Sequence, residues 1–91
     1  MKTIYYSSPD HDTPRYSLEI MDTYNIHRPI EAAEIAELCA YDLFFKNCEA
    51  EYYDINLYET ETSEVVDTYV VAVVPEPVFY AKRKRIKKPR N

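Results

Sequence analysis

The 91 residues contain no glycine and no tryptophan. Without glycine, no turn can use the residue that takes positive φ at least cost, so turns must rest on Pro, Asn, Asp and Ser. Ser8-Pro9-Asp10 and His27-Arg28-Pro29 are the clearest examples. The same absence removes the glycine-rich loops that cradle phosphate, and with them both common nucleotide-binding fingerprints. Cysteine is scarce: Cys39 and Cys48 neither make a disulfide framework nor fit a zinc-ligand spacing. No apolar run approaches the roughly 20 residues of a membrane span. The opening MKTIYYSSPDHD lacks the apolar core of a secretory signal. These absences lead to the expectation of a soluble cytoplasmic protein with reduced thiols and no cofactor.

What is present is one small domain. A chain this short buries roughly 60–65% of its unfolded surface, enough for a modest core but little for a deep enclosed active site. The 46% apolar and 30% charged content reads as globular.

Residues Lys2–Ser7 (KTIYYS) are β-prone and are followed by the turn-rich SSPDHDTP. Arg15–Asp22 alternates, with Tyr16, Leu18 and Ile20 on one side and Arg15, Ser17 and Glu19 on the other, as a half-buried strand does. In RPIEAAEIAELCAYDLFFKN, Pro29 suits the first helical position, where its missing N–H would be unpaired anyway. Glu31 and Glu34 suit the positive end of the helix dipole. Ala32, Ile35, Ala36, Cys39 and Leu43 recur at 3.6-residue spacing as an apolar face. Leu38, Tyr41 and Phe45 widen that stripe, so the helix is expected to pack broadly across a sheet, with Glu31, Glu34, Glu37 and Asp42 turned away.

Tyr53–Thr60 alternates again, with Ile55 and Leu57 opposite Asn56 and Tyr58. Val65–Val74 is the strongest strand, and ETSE suits a loop of about four residues between the two. Val70–Val74 is apolar on both faces, as in a covered strand. PEP at 75–77 breaks it, and Val78–Ala81 could add a short last strand. The order β-β-α-β-β(-β) predicts an α+β domain, one helix on a mostly antiparallel sheet of four or five strands.

Catalytic arrangements are thin. His27 and Cys39 stand about three helical turns apart, and Cys39 reads as a small core hydrophobe. Asp10-His11-Asp12 looks metal-like, but successive residues of an extended segment point in opposite directions, so the three do not readily face one ion. Acid pairs such as Glu49 with Glu51 are too common here to signal acid–base catalysis. The sequence therefore favours a non-enzymatic protein with no catalytic or metal site.

Charge is sharply partitioned. Residues 1–81 carry all 16 acids and four bases, −12, whereas residues 82–91 carry seven bases and no acid, +7, giving the net −5. Expected boundaries are an acidic domain over 1–81 and a basic, flexible C-terminal tail over 82–91. Between positions 49 and 67 there are seven acids and no base: Glu49, Glu51, Asp54, Glu59, Glu61, Glu64 and Asp67, interleaved with Tyr52, Tyr53 and Tyr58. Dense carboxylates attract a basic partner, and tyrosine supplies amphipathic contact area. The ordinary alternative is a solvated acidic face with tyrosine present for its β-propensity. The tail residues Lys82, Arg83, Lys84, Arg85, Lys87, Lys88 and Arg90 suit weak RNA or DNA contact through phosphates, a targeting signal, or pairing with an acidic surface. An exposed edge strand would also permit a homodimer.

In its size and in the acidic layout of EAAEIAELCAYDLFF and EYYDINLYETETSEVVD, the chain resembles the small phage-encoded inhibitors known as anti-CRISPR proteins. That resemblance implies a non-enzymatic protein docking on the basic, nucleic-acid-binding surface of a partner complex. The competing expectation is a nucleic-acid-binding accessory protein that works through its tail.

Overall fold

The computed structural model describes residues 1–46, 49–73 and 79–83, the last stretch with side chains at 81 and 82. Five strands and one helix follow in the order β1 (Lys2–Ser7), β2 (Tyr16–Ile20), α1 (Pro29–Phe44), β3 (Tyr52–Tyr58), β4 (Val65–Val73) and β5 (Phe79–Arg83). The strands form one antiparallel sheet in the order β2-β1-β3-β4-β5, with the helix packed on it, so the domain is α+β. Strands β2 and β3 both run antiparallel to β1 on opposite sides of it, and α1 is the crossover that carries the chain over β1 from one to the other.

The register explains the core. Tyr6 lies opposite Leu57 and Tyr16, Ile4 opposite Leu18, Tyr53 opposite Val71, and Ile55 opposite Tyr69. These pairs place Ile4, Tyr6, Tyr53, Ile55, Leu57, Tyr69 and Val71 on the helix side, where all are buried. From α1, Ala32, Ile35, Ala36, Cys39, Ala40 and Leu43 close onto them.

Three tyrosines, Tyr6, Tyr53 and Tyr69, rank among the largest fully buried side chains. A buried phenol needs a partner for its hydroxyl. Tyr6 donates to Asp42 at 2.5 Å, and Tyr69 stands 3.4 Å from both the Pro29 carbonyl and Asp67. No buried side-chain nitrogen or oxygen among the described residues lacks a partner.

The helix begins as expected, with Arg28 as N-cap and Pro29 in the first turn. Glu31 reaches back to the Asn25 N–H at 2.6 Å and so supplies an acceptor ahead of the helix, much as a capping-box glutamate does. The outer boundary of the apolar face differs from expectation. Leu38, Tyr41 and Phe45 are 41%, 48% and 64% exposed and do not widen the core stripe. At 3.6 residues per turn, Tyr41 lies about 160° around the helix from Leu43, too far to reach the sheet.

The turns show how the chain manages without glycine. Between β1 and β2, Pro9–His11 forms one 3-10 turn that closes on Asp12, the only positive-φ residue among those described, with φ 54°. Asp tolerates this left-handed conformation better than most residues. Ser8, fully buried, donates its N–H to Thr13 Oγ1 at 2.8 Å, and its hydroxyl lies 3.1 Å from His11 Nδ1. The β3–β4 loop spans six residues, 59–64, not four, and is held by Thr60 and Ser63, each accepting the other's backbone N–H at 3.0 Å. Strand β4 is flanked on both sides, and the last strand runs through Lys82 and Arg83 rather than stopping at Ala81. The remainder of the basic stretch, from residue 84 onward, lies outside the described residues.

Candidate interaction surface

Strand β3 divides the base-free stretch. Glu49, Glu51 and the 56%-exposed Tyr52 lie at its start, and Glu59, Glu61 and Glu64 lie in the loop beyond its end; all are exposed. The seven residues of β3 between Glu51 and Glu59 hold the two roughly 26 Å apart. The exposed acids therefore form two clusters at opposite ends of the sheet and not one continuous face.

The residues between them are directed elsewhere. Tyr53 is 0% exposed in the core, with the His11 ring 5.1 Å away. Asp54 and Tyr58, on the sheet face away from the helix, are 8% and 9% exposed. The Tyr58 hydroxyl is 3.0 Å from the Ser7 hydroxyl, and the Arg15 guanidinium lies 3.5 Å over the Tyr58 ring. Arg15 also donates to the Thr60 and Glu61 carbonyls at 3.2 and 2.6 Å, which fixes the acidic loop to the sheet. Asp67 is half-buried and accepts the Thr68 N–H at 2.9 Å. Glu59 faces His27 at 3.3 Å. Of the three tyrosines in the stretch, Tyr52 alone presents most of its ring to solvent.

Among the basic residues, Lys82 is exposed and lies opposite Val70, and Arg83 lies opposite Tyr69. Lys84, Arg85, Lys87, Lys88 and Arg90 lie outside the described residues, as does Cys48.

Sequence reasoning missed the surface that α1 presents to solvent. Ile30, at 77% exposure, joins Glu34, Leu38, Tyr41 and Phe45 in a strip along the side opposite the core. The spacing of these residues, four, four, three and four, is that of a second helical stripe. The signal was legible as two apolar stripes on one helix, but the sequence could not show how much of the circumference the sheet covers.

Tyr24, from the β2–α1 connection, rises beside this strip. Together Tyr24, Glu34, Glu37, Leu38 and Tyr41 line an open groove of about 540 Å³. The charge of Glu34, then burial, then a hydrogen bond to Glu34 push the Tyr24 phenol above its usual pKa, with a smaller contribution from Glu31. Phe45 packs edge-on to Tyr41 at 4.8 Å, extending the aromatic surface toward the helix end. None of the described residues that line the groove is basic. The cations of α1 and its flanks sit at the two ends, Arg28 3.5 Å from Glu31 and Lys46 3.2 Å from Asp42.

Glu37 ties the groove to the sheet edge. Its Oε2 accepts the Ala81 N–H of β5 at 2.8 Å. An edge strand exposes unpaired backbone donors, and here a helix carboxylate occupies one.

The candidate reactive groups are separated. His27 is exposed beside Glu59, whereas Cys39 is sealed in the core, where burial raises its thiol pKa well above normal. His11 turns toward Ser8 and Tyr53. Among the described residues, no three His, Cys, Asp or Glu side chains stand together as a metal site would require. The groove offers apolar contact flanked by negative charge, which suits a polypeptide segment carrying cations. No helix among the described residues is long and apolar enough to cross a membrane. Comparison with family models, curated proteins and solved structures gave no match to the chain.

Proposed function

We propose that the protein is a non-enzymatic interaction module that occupies a basic, nucleic-acid-binding surface on a partner, acting as an inhibitor in the manner of the small phage-encoded proteins it resembles. The supporting observation is the outer side of α1, where exposed Ile30, Leu38, Tyr41 and Phe45 run beside Glu34 and Glu37. Aromatic anchors surrounded by charge of one sign are the composition expected of a contact surface with a complementary partner. The two acidic clusters at the ends of β3 add long-range attraction and orient the approach.

The test is capture of the partner by immobilised protein at moderate salt, followed by elution with RNA or heparin. A nucleic-acid-binding partner should be released by the polyanion. The triple variant Glu34→Lys/Tyr41→Ser/Phe45→Ser should capture little of it. Equal capture by that variant, or a partner indifferent to polyanions, would sink the reading.

A further inference from the structure

We infer that the chain self-associates through β2, an open edge of its sheet, as a two-fold dimer in which β2 pairs antiparallel with β2 of a second copy. The pairing does not use the docking surface on α1, so it stands or falls separately from the proposed function.

Three observations carry it. The first is that the two sheet edges differ. Among the described residues, β2 and β5 each have one strand neighbour. At β5, α1 packs alongside and the Glu37 carboxylate takes the Ala81 N–H at 2.8 Å. Strand β2 has none of the usual edge protection within its span. It holds no proline and no lysine, and its register against β1 runs unbroken from Tyr16 to Ile20.

The second is register. Backbone donors and acceptors alternate from side to side along a strand, so a two-fold pair must be centred on a residue. A centre at Glu19 sets two carboxylates face to face, which like charge opposes. A centre at Ser17 sets Ile20 opposite Pro14, which has no N–H, and Glu19 opposite Arg15. Arg15 is already engaged with the Tyr58 ring and with the Thr60 and Glu61 carbonyls. A centre at Leu18 pairs all five residues of β2, with Leu18 on Leu18, Tyr16 on Ile20 and Ser17 on Glu19. This register is self-complementary.

The third is that the faces match. Paired residues of an antiparallel ladder point to the same side of the sheet. Half-buried Tyr16 and Leu18, packed at the border of the core, therefore meet Ile20 and Leu18 of the second copy. Exposed Ser17 meets exposed Glu19, whose carboxylate accepts its hydroxyl. Because both copies use the same edge, the assembly closes at two. The two five-stranded sheets become one, and both α1 helices lie on the same side of it. Five paired residues a side fall short of the roughly 20–30 of a standard interface, so the dimer is a transient one that forms at high protein concentration.

Sedimentation equilibrium of the full chain tests this without any other partner. Between about 10 μM and about 1 mM the protein should pass from monomer toward dimer, the range of a weak contact. Each copy carries −5, so added salt should tighten the association by screening like charge. A monomer throughout that range overturns the inference.

Charge at position 17 tests the register at an exposed site that leaves the core untouched. Ser17→Lys places two opposite-charge pairs across the dimer and should tighten it by about 5-fold, whereas Ser17→Glu places two like-charge pairs and should weaken it by about as much. Thr62→Lys, an equal charge change in the exposed β3–β4 loop, corrects for net charge. If Ser17→Lys does no more than Thr62→Lys, or if both position-17 variants weaken the dimer, the Leu18-centred pairing is wrong.

Thiol trapping gives an independent reading. In a Cys48→Ser background, Leu18→Cys sets two thiols directly opposite each other, while Glu19→Cys leaves them two residues out of register. The half-buried Leu18→Cys thiol should crosslink between chains at least about 10-fold faster than the more exposed Glu19→Cys thiol, because only the former meets disulfide geometry. Equal rates, or the reverse order expected from exposure alone, overturn the inference.

Discussion

The Tyr6 hydroxyl donates to Oδ2 of Asp42 across 36 residues of sequence, and Lys46 Nζ stands 3.2 Å from the same oxygen. The Lys46 ammonium also lies 5.1 Å over the Tyr16 ring, which packs 5.7 Å from that of Tyr6. One carboxylate on α1 thus joins the helix's last turns to β1 and β2.

This arrangement carries a pH signature. Burial first, then the hydrogen bond and charge of Asp42, push the Tyr6 phenol far above its normal pKa. A group whose folded pKa is raised contributes stability that is complete below its unfolded value, near 10 for tyrosine, and is lost as pH rises beyond it. Wild-type stability should therefore fall above about pH 10, with Tyr6 contributing up to about 1.4 kcal/mol per pH unit. Tyr6→Phe should cost about 1.5–3 kcal/mol at neutral pH, the range for a hydrogen bond to a charged group, and should flatten the alkaline limb. Urea unfolding of both proteins between pH 7 and about 11 checks this; parallel limbs would contradict it.

The tyrosines of the 49–67 stretch should separate by role. Tyr53→Ala removes a fully buried ring and should cost about 3–5 kcal/mol, as large aromatic truncations do. Tyr58→Ala should be intermediate, losing the Ser7 hydrogen bond and the surface beneath Arg15. Tyr52→Ala, at a mostly exposed position, should change stability by less than about 0.5 kcal/mol. Thermal melts establish the order, and only Tyr52→Ala permits a clean test of partner capture.

The fold was legible because periodicity reports which residues share a face. Lys2–Ser7 and the start of α1 at Pro29 lie where their patterns place them. Alternation also separated Ile55 and Leu57 from Asn56 and Tyr58. The surface was harder to read, because proximity in sequence is not proximity in space. A strand carried Glu51 and Glu59 to opposite ends of the sheet, and the same alternation buried Tyr53 while leaving Tyr52 exposed. The helix failed in the other direction: Leu38, Tyr41 and Phe45 have the hydrophobicity of core residues, and only the placement of the sheet shows that the core ends before them.

That placement makes the outer stripe of α1 separable from stability. Leu38→Ser/Phe45→Ser should alter unfolding free energy by less than about 1 kcal/mol, given the exposure of both residues. If these residues anchor a partner, capture should weaken by about 10-fold or more, the effect of losing a contact worth about 1.4 kcal/mol. Titration of the double variant beside wild type decides between an anchor and an inert surface.

The acidic loop should act at longer range. Reversing Glu59, Glu61 and Glu64 to Lys leaves the groove intact, while Arg15 still holds the loop through backbone carbonyls. The His27–Glu59 pair lost in the process is exposed on both sides and contributes little. The expected outcome is slower association with little change in dissociation, and the difference from wild type should shrink as salt is raised. An effect confined to dissociation would instead place the loop within the contact.

Glu37 gives the sharpest local prediction, because its carboxylate serves both the groove and the edge of the sheet. Its Oε2 accepts the Ala81 N–H, whereas Tyr69 and Val71, one strand further in, have neighbours on both sides in β3 and β5. Glu37→Ala should therefore accelerate hydrogen exchange at Ala81 by about 10-fold or more while leaving Tyr69 and Val71 protected, the pattern of local fraying rather than global unfolding. Glu37→Gln retains an acceptor oxygen but no charge and should fall between the two, because hydrogen bonds to charged acceptors are stronger. If Ala81 exchanges at the wild-type rate in both variants, the edge of β5 is held by its pairing with β4 alone. Glu37 would then be available in full to whatever the groove binds.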